Sequence, residues 1–283
     1  MTAAKESRVN HGLMPLPDMV RRIFYIVTDP SSSADELLAV LRAEPVLTRG
    51  VLRLSNSSIH SVPRQIEDVS QTVAYLGTGN LIRMVIAQCV IPYYRRAERA
   101  LGSVREPWRH ALAVGIAAQL LAEASGAVEP STAFAAGVLH DIGKLTARPI
   151  DRADLPRVDD DGDQRSFLEV EREILGQDHA IAGAQAAEHW GLPHSLCQAI
   201  RNHHHPDFVA VDHELTAIVH IADVMAMQCG IGLAIEGLTY PTFPEPIRRI
   251  HLRERELDVI RLRLLEELRR AHDLVKLATP HGR

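Results

Sequence analysis

His140 and Asp141 stand side by side in the run GVLHDIGK, and further imidazoles and carboxylates are spaced around them: His110, His179, the triplet His203, His204 and His205, and Asp223. Imidazole nitrogen with carboxylate oxygen suits iron, manganese or zinc, and a centre of that kind can make water a nucleophile at neutral pH. Each candidate also has a plainer reading. His140 and Asp141 can be a buried polar pair that ties two helices together, the carboxylate orienting the ring. His179, after Asp178, lies where a first helical turn is capped. His203, His204 and His205 cannot all face one point on a helix, because neighbours diverge by about 100°; His203 and His204 are the candidates and His205 is left out. His220 lies three residues before Asp223 and shares its helix face, as a support for the centre or as an ordinary core or surface residue. His11, His60, His189, His194, His213, His251, His272 and His281 are scattered without ligand spacing.

Residues so far apart must be gathered by secondary structure, and the chain reads as helix after helix with almost no strand alternation. Of its 283 residues 46% are hydrophobic but only 4% aromatic, so Leu, Val, Ile and Ala must fill the core. That length can bury a sizeable core in one large or two modest domains. Met19, Val20, Ile23, Phe24 and Val27 recur at helical spacing, and a serine-capped helix restarts in DPSSSADELLAVLRAEP, ending at Pro45. Val46–Ser57 gives another helix, VPRQI a break, and EDVSQTVAYLG and NLIRMVIAQCVI two more, stopped by Gly77 and Pro92 respectively. The second half offers WRHALAVGIAAQLLAEASG, TAFAAGVLHDIGK, FLEVEREILG, DHAIAGAQAAEHWG, SLCQAIRNHH and ELTAIVHIADVMAMQCGIG as helices. The tail from Pro246 to Ala278 is an amphipathic helix or helix pair, packing on its own domain or supporting a homodimer.

Other features are weaker. Asn56, Ser57, Ser58 and His60 fit turn chemistry after a helix end. Arg148–Ser166 reads as a loop or lid, and Asp159, Asp160, Asp161 and Asp163 within it lack the spacing and closing glutamate of a calcium loop. The three cysteines, Cys89, Cys197 and Cys229, form no CxxC pair and read as small core residues of a reducing compartment. A net charge of -5 argues against an overall nucleic-acid footprint, so direct nucleic-acid binding is not expected. The start MTAAKESRVNHG lacks an apolar stretch, and the longest apolar segment, Ala111–Val128, carries Gln119 and Glu123; a cytoplasmic protein with no membrane span is expected.

Taken in order, LMPLPDMVRRIFYIVTDP, EPVLTRGVLRLSNSS, VSQTVAYLGTGNLIRMV, WRHALAVG, FAAGVLHDIGK, EREILGQDHAIAGAQAAEHWGLP, AIRNHHHP and HIADVMA give the chain a resemblance to the HDOD family, related to the HD phosphohydrolase superfamily and closest there to the HD-GYP cyclic-di-GMP phosphodiesterases. The resemblance implies an all-α fold, an HD-domain-like bundle packed on an N-terminal helical subdomain, with boundaries at 13–100, 107–235 and a tail at 245–279. It also implies metal ligands at His110, His140, Asp141, His179, His203, His204 and Asp223, holding a divalent, binuclear centre (iron, manganese or zinc) bridged by Asp141. Lys144, one turn beyond His140, pairs with a substrate phosphate in that scheme or is a helix-end cation balancing the macrodipole. After His203 and His204 the chain reads HPDFVAVDHE without a glycine-tyrosine-proline loop, which argues against cyclic-di-GMP hydrolysis. Tyr240 and Pro241 do not replace that loop.

The expected function is therefore signal transduction: a regulatory protein with a His/Asp metal centre that acts through protein partners. The competing expectation is a metal-dependent phosphohydrolase for a nucleotide or cyclic dinucleotide, with Asp141 and Lys144 catalytic. A redox or diatomic-gas sensor built on two irons uses the same donors.

Overall fold

A computed structural model describes residues 16–57, 64–101, 107–145, 167–206, 213–231 and 244–278. Every regular element among them is helical: α1 Asp18–Thr28, α2 Ala34–Ala43, α3 Pro45–Ser55, α4 Val69–Leu76, α5 Thr78–Leu101, α6 Pro107–Ser125, α7 Pro130–Leu139, a 3-10 turn Ile142–Leu145, α8 Phe167–Leu175, α9 His179–His189, α10 His194–Asn202, α11 His213–Gln228, α12 Pro244–Arg249 and α13 Glu254–Ala278. Local chemistry sets many of the boundaries. Ser33 caps α2 in a reciprocal box with Glu36, Asp68 caps α4 through Ser70 N, and Gly77 closes α4 at φ 82°. Proline opens α3 and α7, where its missing N–H costs nothing.

One expected stop is overturned. Helix α5 does not end at Pro92 but runs through it to Leu101. The proline is exposed, and beyond it Tyr94 is fully buried with its hydroxyl donating to Val138 O at 2.9 Å. Tertiary anchoring outweighs the lost helical bond.

Helices α1, α5, α10, α11 and α13 pack on the most buried pair, α6 and α7, and α9 packs on α10 and the 3-10 turn. From His110 to Ala122 every residue of α6 is buried, and so is α7 from Thr132 to Leu139. A helix apolar all round belongs inside a fold. The pair crosses at two glycines: a Cβ on Gly137 would meet Gly115 Cα and Val114 O, each at 2.8 Å. One continuous apolar cluster runs from Val20 on α1 to Leu264 on α13. The tail resolves as the pair α12 and α13, with Leu257, Ile260 and Leu264 buried and α13 packed on α6 and α3.

Arg148–Ser166 with its aspartates, Ser58, His60, Tyr240 and Pro241 lie outside the described residues, as do His11, His281 and the side chains of His213, His272, Leu274 and Val275. Among the described residues no helix is long and apolar enough to cross a membrane. Cys89 and Cys197 are buried and Cys229 half-buried, all unbridged.

Candidate metal centre

Six short pieces of chain deliver side chains to one point. His110 comes from the first turns of α6, His140 and Asp141 from the end of α7, His179 from the first position of α9, His203 and His204 from the turn leaving α10, Asp223 from α11 and Lys144 from the 3-10 turn. The glycine crossing of α6 and α7 brings His110 to His140, their ring centroids 5.2 Å apart. A second close approach seats the 3-10 turn on α9: a Cβ at Gly143 would collide with His179 O and Gly183 N. Asp178 accepts from Ile181 N at 2.9 Å and so starts α9 at His179. His203 caps α10 and His204 follows in the turn that leaves it; their ring centroids lie 3.8 Å apart. His205 is exposed and turned away.

The candidate donors fall into two neighbouring groups that share Asp141. On one side, His110 Nε2 lies 3.0 Å from Asp223 Oδ1 and 3.5 Å from Asp141 Oδ2, and His140 Nε2 lies 3.3 Å from Asp141 Oδ2 and 3.8 Å from Asp223 Oδ1. On the other, His179 Nε2 is 3.2 Å and His203 Nε2 3.8 Å from Asp141 Oδ1, with His204 Nε2 2.8 Å from His179 Nε2. Donors about 2 Å from an ion sit roughly 3 to 4 Å from one another, and these separations match that spacing. The two oxygens of Asp141 face different histidines, Oδ2 towards His110 and His140 and Oδ1 towards His179 and His203. Lys144 Nζ donates to Asp141 Oδ2 at 2.7 Å.

Ring orientation is fixed from behind. Nδ1 of His110, His140 and His203 lies 2.9, 2.7 and 2.7 Å from the carbonyls of Ile231, Gly137 and Ile200. A carbonyl only accepts, so each Nδ1 carries the proton and, in a neutral ring, Nε2 presents its lone pair inward. Nε2 of His140 and His203 and Oδ1 of Asp141 are buried and make no hydrogen bond among the described residues. Orphaned buried acceptors of this kind are costly unless a cation receives them. His220 stays outside the donor groups; its Nδ1 donates to His203 O at 2.8 Å and steadies the turn that carries His203.

Glu171, on α8, carries no signal in the apolar pattern, yet one of its carboxylate oxygens accepts from His179 Nδ1 at 2.6 Å and from His179 N at 3.0 Å. The available clue was a glutamate eight residues before a candidate histidine within a helix whose neighbouring Leu168 and Val170 are core.

The centre is electrostatically tight, with every candidate side chain other than Lys144 at most 7% exposed where it pairs with Asp141 or Asp223. Burial opposes charge on His110, but the hydrogen bond and charge of Asp223 prevail and raise its pKa to about 9. His179 also reaches about 9: burial and Lys144 oppose its charge, and Glu171 and Asp141 outweigh them. Burial and neighbouring rings push His203 and His204 well below the usual histidine range. Asp141 and Asp223 lie below the carboxylate range despite burial, held ionised by His140 and Lys144 for the first and by His110 and His140 for the second.

The HDOD domain family matches residues 13–206, and the chain belongs to that family. An HDOD domain protein of unknown function from Geobacter sulfurreducens superposes with a TM-score of 0.65 at 25% identity, covering 94% of this chain and 91% of its own. A protein of Marinobacter aquaeolei VT8 named for signal transduction shares the fold at TM-score 0.75 and 18% identity, over 95% of this chain and 60% of its own. An uncharacterized protein of Treponema pallidum (strain Nichols) is 24% identical over 196 residues, 67% of this chain; the match spans only 37% of that relative.

Proposed function

We propose that the protein is a signalling regulator of HDOD type whose core holds a pair of divalent ions, read out through protein contacts. The observation that carries this reading is the convergence of His110, His140, Asp141, His179, His203, His204 and Asp223 into overlapping donor groups, with histidines from both sides within 3.8 Å of the Asp141 carboxylate. The donor set of imidazole and carboxylate fits iron, manganese or zinc. Bound there, the ions would supply Lewis acidity or, with iron, a redox couple. The chain's own part is to hold the donors: main-chain carbonyls fix three rings, Asp141 spans the two groups, and Lys144 neutralises Asp141.

Near-complete burial favours a structural or sensory centre over turnover of a bulky substrate, and the Marinobacter likeness agrees with a place in signalling. The second reading, a metal-dependent phosphohydrolase with Asp141 and Lys144 in the chemistry, is favoured by the fullness of the donor set and by Lys144 at its edge. Elemental analysis of protein purified without added metal or chelator tests the first step, with the His140→Ala/Asp141→Ala double variant as blank. Two ions per chain in the wild type alone support the centre; a folded, metal-free protein that takes up no added metal overturns both readings. Hydrolysis of bis-p-nitrophenyl phosphate with Mn²⁺, abolished by Asp141→Ala, would move the assignment to the hydrolase.

A further inference from the structure

We propose that Glu171 is the positioning residue of the second ion, supplying the counter-charge and ring orientation that the His179, His203 and His204 group otherwise lacks. The inference rests on the binuclear reading above and concerns a residue outside its ligand set.

The two donor groups are unequal in charge. The side with His110 and His140 includes the carboxylates Asp141 and Asp223, whereas His179, His203 and His204 form a group of imidazoles alone, with Asp141 Oδ1 3.2 Å from His179 Nε2 and Asp223 within reach of His203 only. A buried dication surrounded mainly by neutral rings is poorly compensated. Glu171, 4% exposed, places a carboxylate directly behind that poorer group. The contrast with the other rings is informative: His110, His140 and His203 rest on neutral main-chain carbonyls, and His179 alone of the four rests on a buried carboxylate. An anionic acceptor at Nδ1 strengthens Nε2 as a donor and fixes the ring. The same oxygen also takes His179 N, so ring and main chain are held by one atom. The corner is further braced by Arg172, whose Nε donates to Asp178 Oδ2 at 2.7 Å beside the helix start.

The test is titration of the chelator-stripped full chain with Co²⁺, read by bound ions per chain and by the visible spectrum of each Co²⁺. Wild type should take two ions. Glu171→Ala should keep the first with its spectrum unchanged and bind the second roughly 10- to 100-fold more weakly with an altered spectrum. Glu171→Gln, whose amide oxygen still accepts from Nδ1, should fall between alanine and wild type, and His179→Ala should reproduce the alanine result. Two ions of wild-type affinity and spectrum in Glu171→Ala overturn the proposal while leaving the binuclear centre standing; a wild type that binds fewer than two ions overturns the binuclear reading and this inference with it. Should the alanine variant not fold, Glu171→Gln decides: a weakened second ion beside an unchanged first supports the role, and wild-type behaviour removes it.

Discussion

At the scale of single residues, protons in the metal-free centre stand where cations are proposed to sit. His110 can donate from both nitrogens, to Ile231 O and Asp223, and His179 faces Glu171 on one side and Asp141 on the other. Both pKa values lie at about 9, above the free histidine value, so both rings are charged at pH 7.5 in the absence of metal. A ligand imidazole must be neutral at the coordinating nitrogen, so ion uptake expels those protons. The sign follows: apparent affinity should climb as pH rises from about 6.5 to about 9, by about tenfold per pH unit for each proton displaced, and level off above. Metal titration in weakly buffered indicator solution at pH 6.5, 7.5 and 8.5 measures the protons directly. Uptake that releases none and ignores pH would contradict the proposed occupancy.

At the scale of elements, the donors converge because helices touch where only glycine fits. A Cβ at Gly137 would press on the main chain of α6, and one at Gly143 on the main chain of α9; neither obstacle is a flexible side chain that could swing away. Gly137→Ala should therefore cost about 1 to 3 kcal/mol in denaturant unfolding, and Gly143→Ala should lower metal uptake as well, because it pushes the 3-10 turn off His179. Gly79→Ala in α5, with nothing within 4 Å of the new Cβ, is the control and should be neutral or slightly stabilising. An unchanged melting point for Gly137→Ala would remove the close-contact explanation. Helical periodicity, serine capping and Gly77 made most of these elements legible in the sequence, and the order of the His and Asp runs pointed to the site. Pro92 misled because local propensity knows nothing of the burial of Tyr94 farther along the same helix. Glu171 was illegible because a glutamate in an amphipathic helix normally faces water, and only the corner between α8 and α9 turns this one inward. The joint placement of His203 and His204 depended on α10 ending at Asn202, two residues before the end of the helix read over SLCQAIRNHH.

At the scale of the whole molecule, the candidate donors come from α6, α7, α9, α10 and α11, so ions held among them would cross-link these helices, and α7 belongs to the same continuous core as α5, whose Tyr94 bonds Val138 O. Ions that bind the folded chain alone must stabilise all of it, by roughly 2.7 kcal/mol at a free concentration one hundred times the dissociation constant. For a chain of this size that amounts to a rise of several degrees in melting temperature, growing with added metal. Stripping with chelator should reverse it, and the His140→Ala/Asp141→Ala variant should melt at one temperature with or without metal. Tyr94→Phe should cost about 1 kcal/mol by leaving Val138 O without its side-chain donor, yet retain the full metal-dependent rise, because the hydroxyl bonds the main chain of α7 at Val138 O. Differential scanning calorimetry of the three proteins, with and without Mn²⁺ or Zn²⁺, distinguishes these effects. A metal-dependent rise persisting in the double variant would place the stabilising ion elsewhere on the chain; a rise lost in Tyr94→Phe would show that α5 sets the state of the centre.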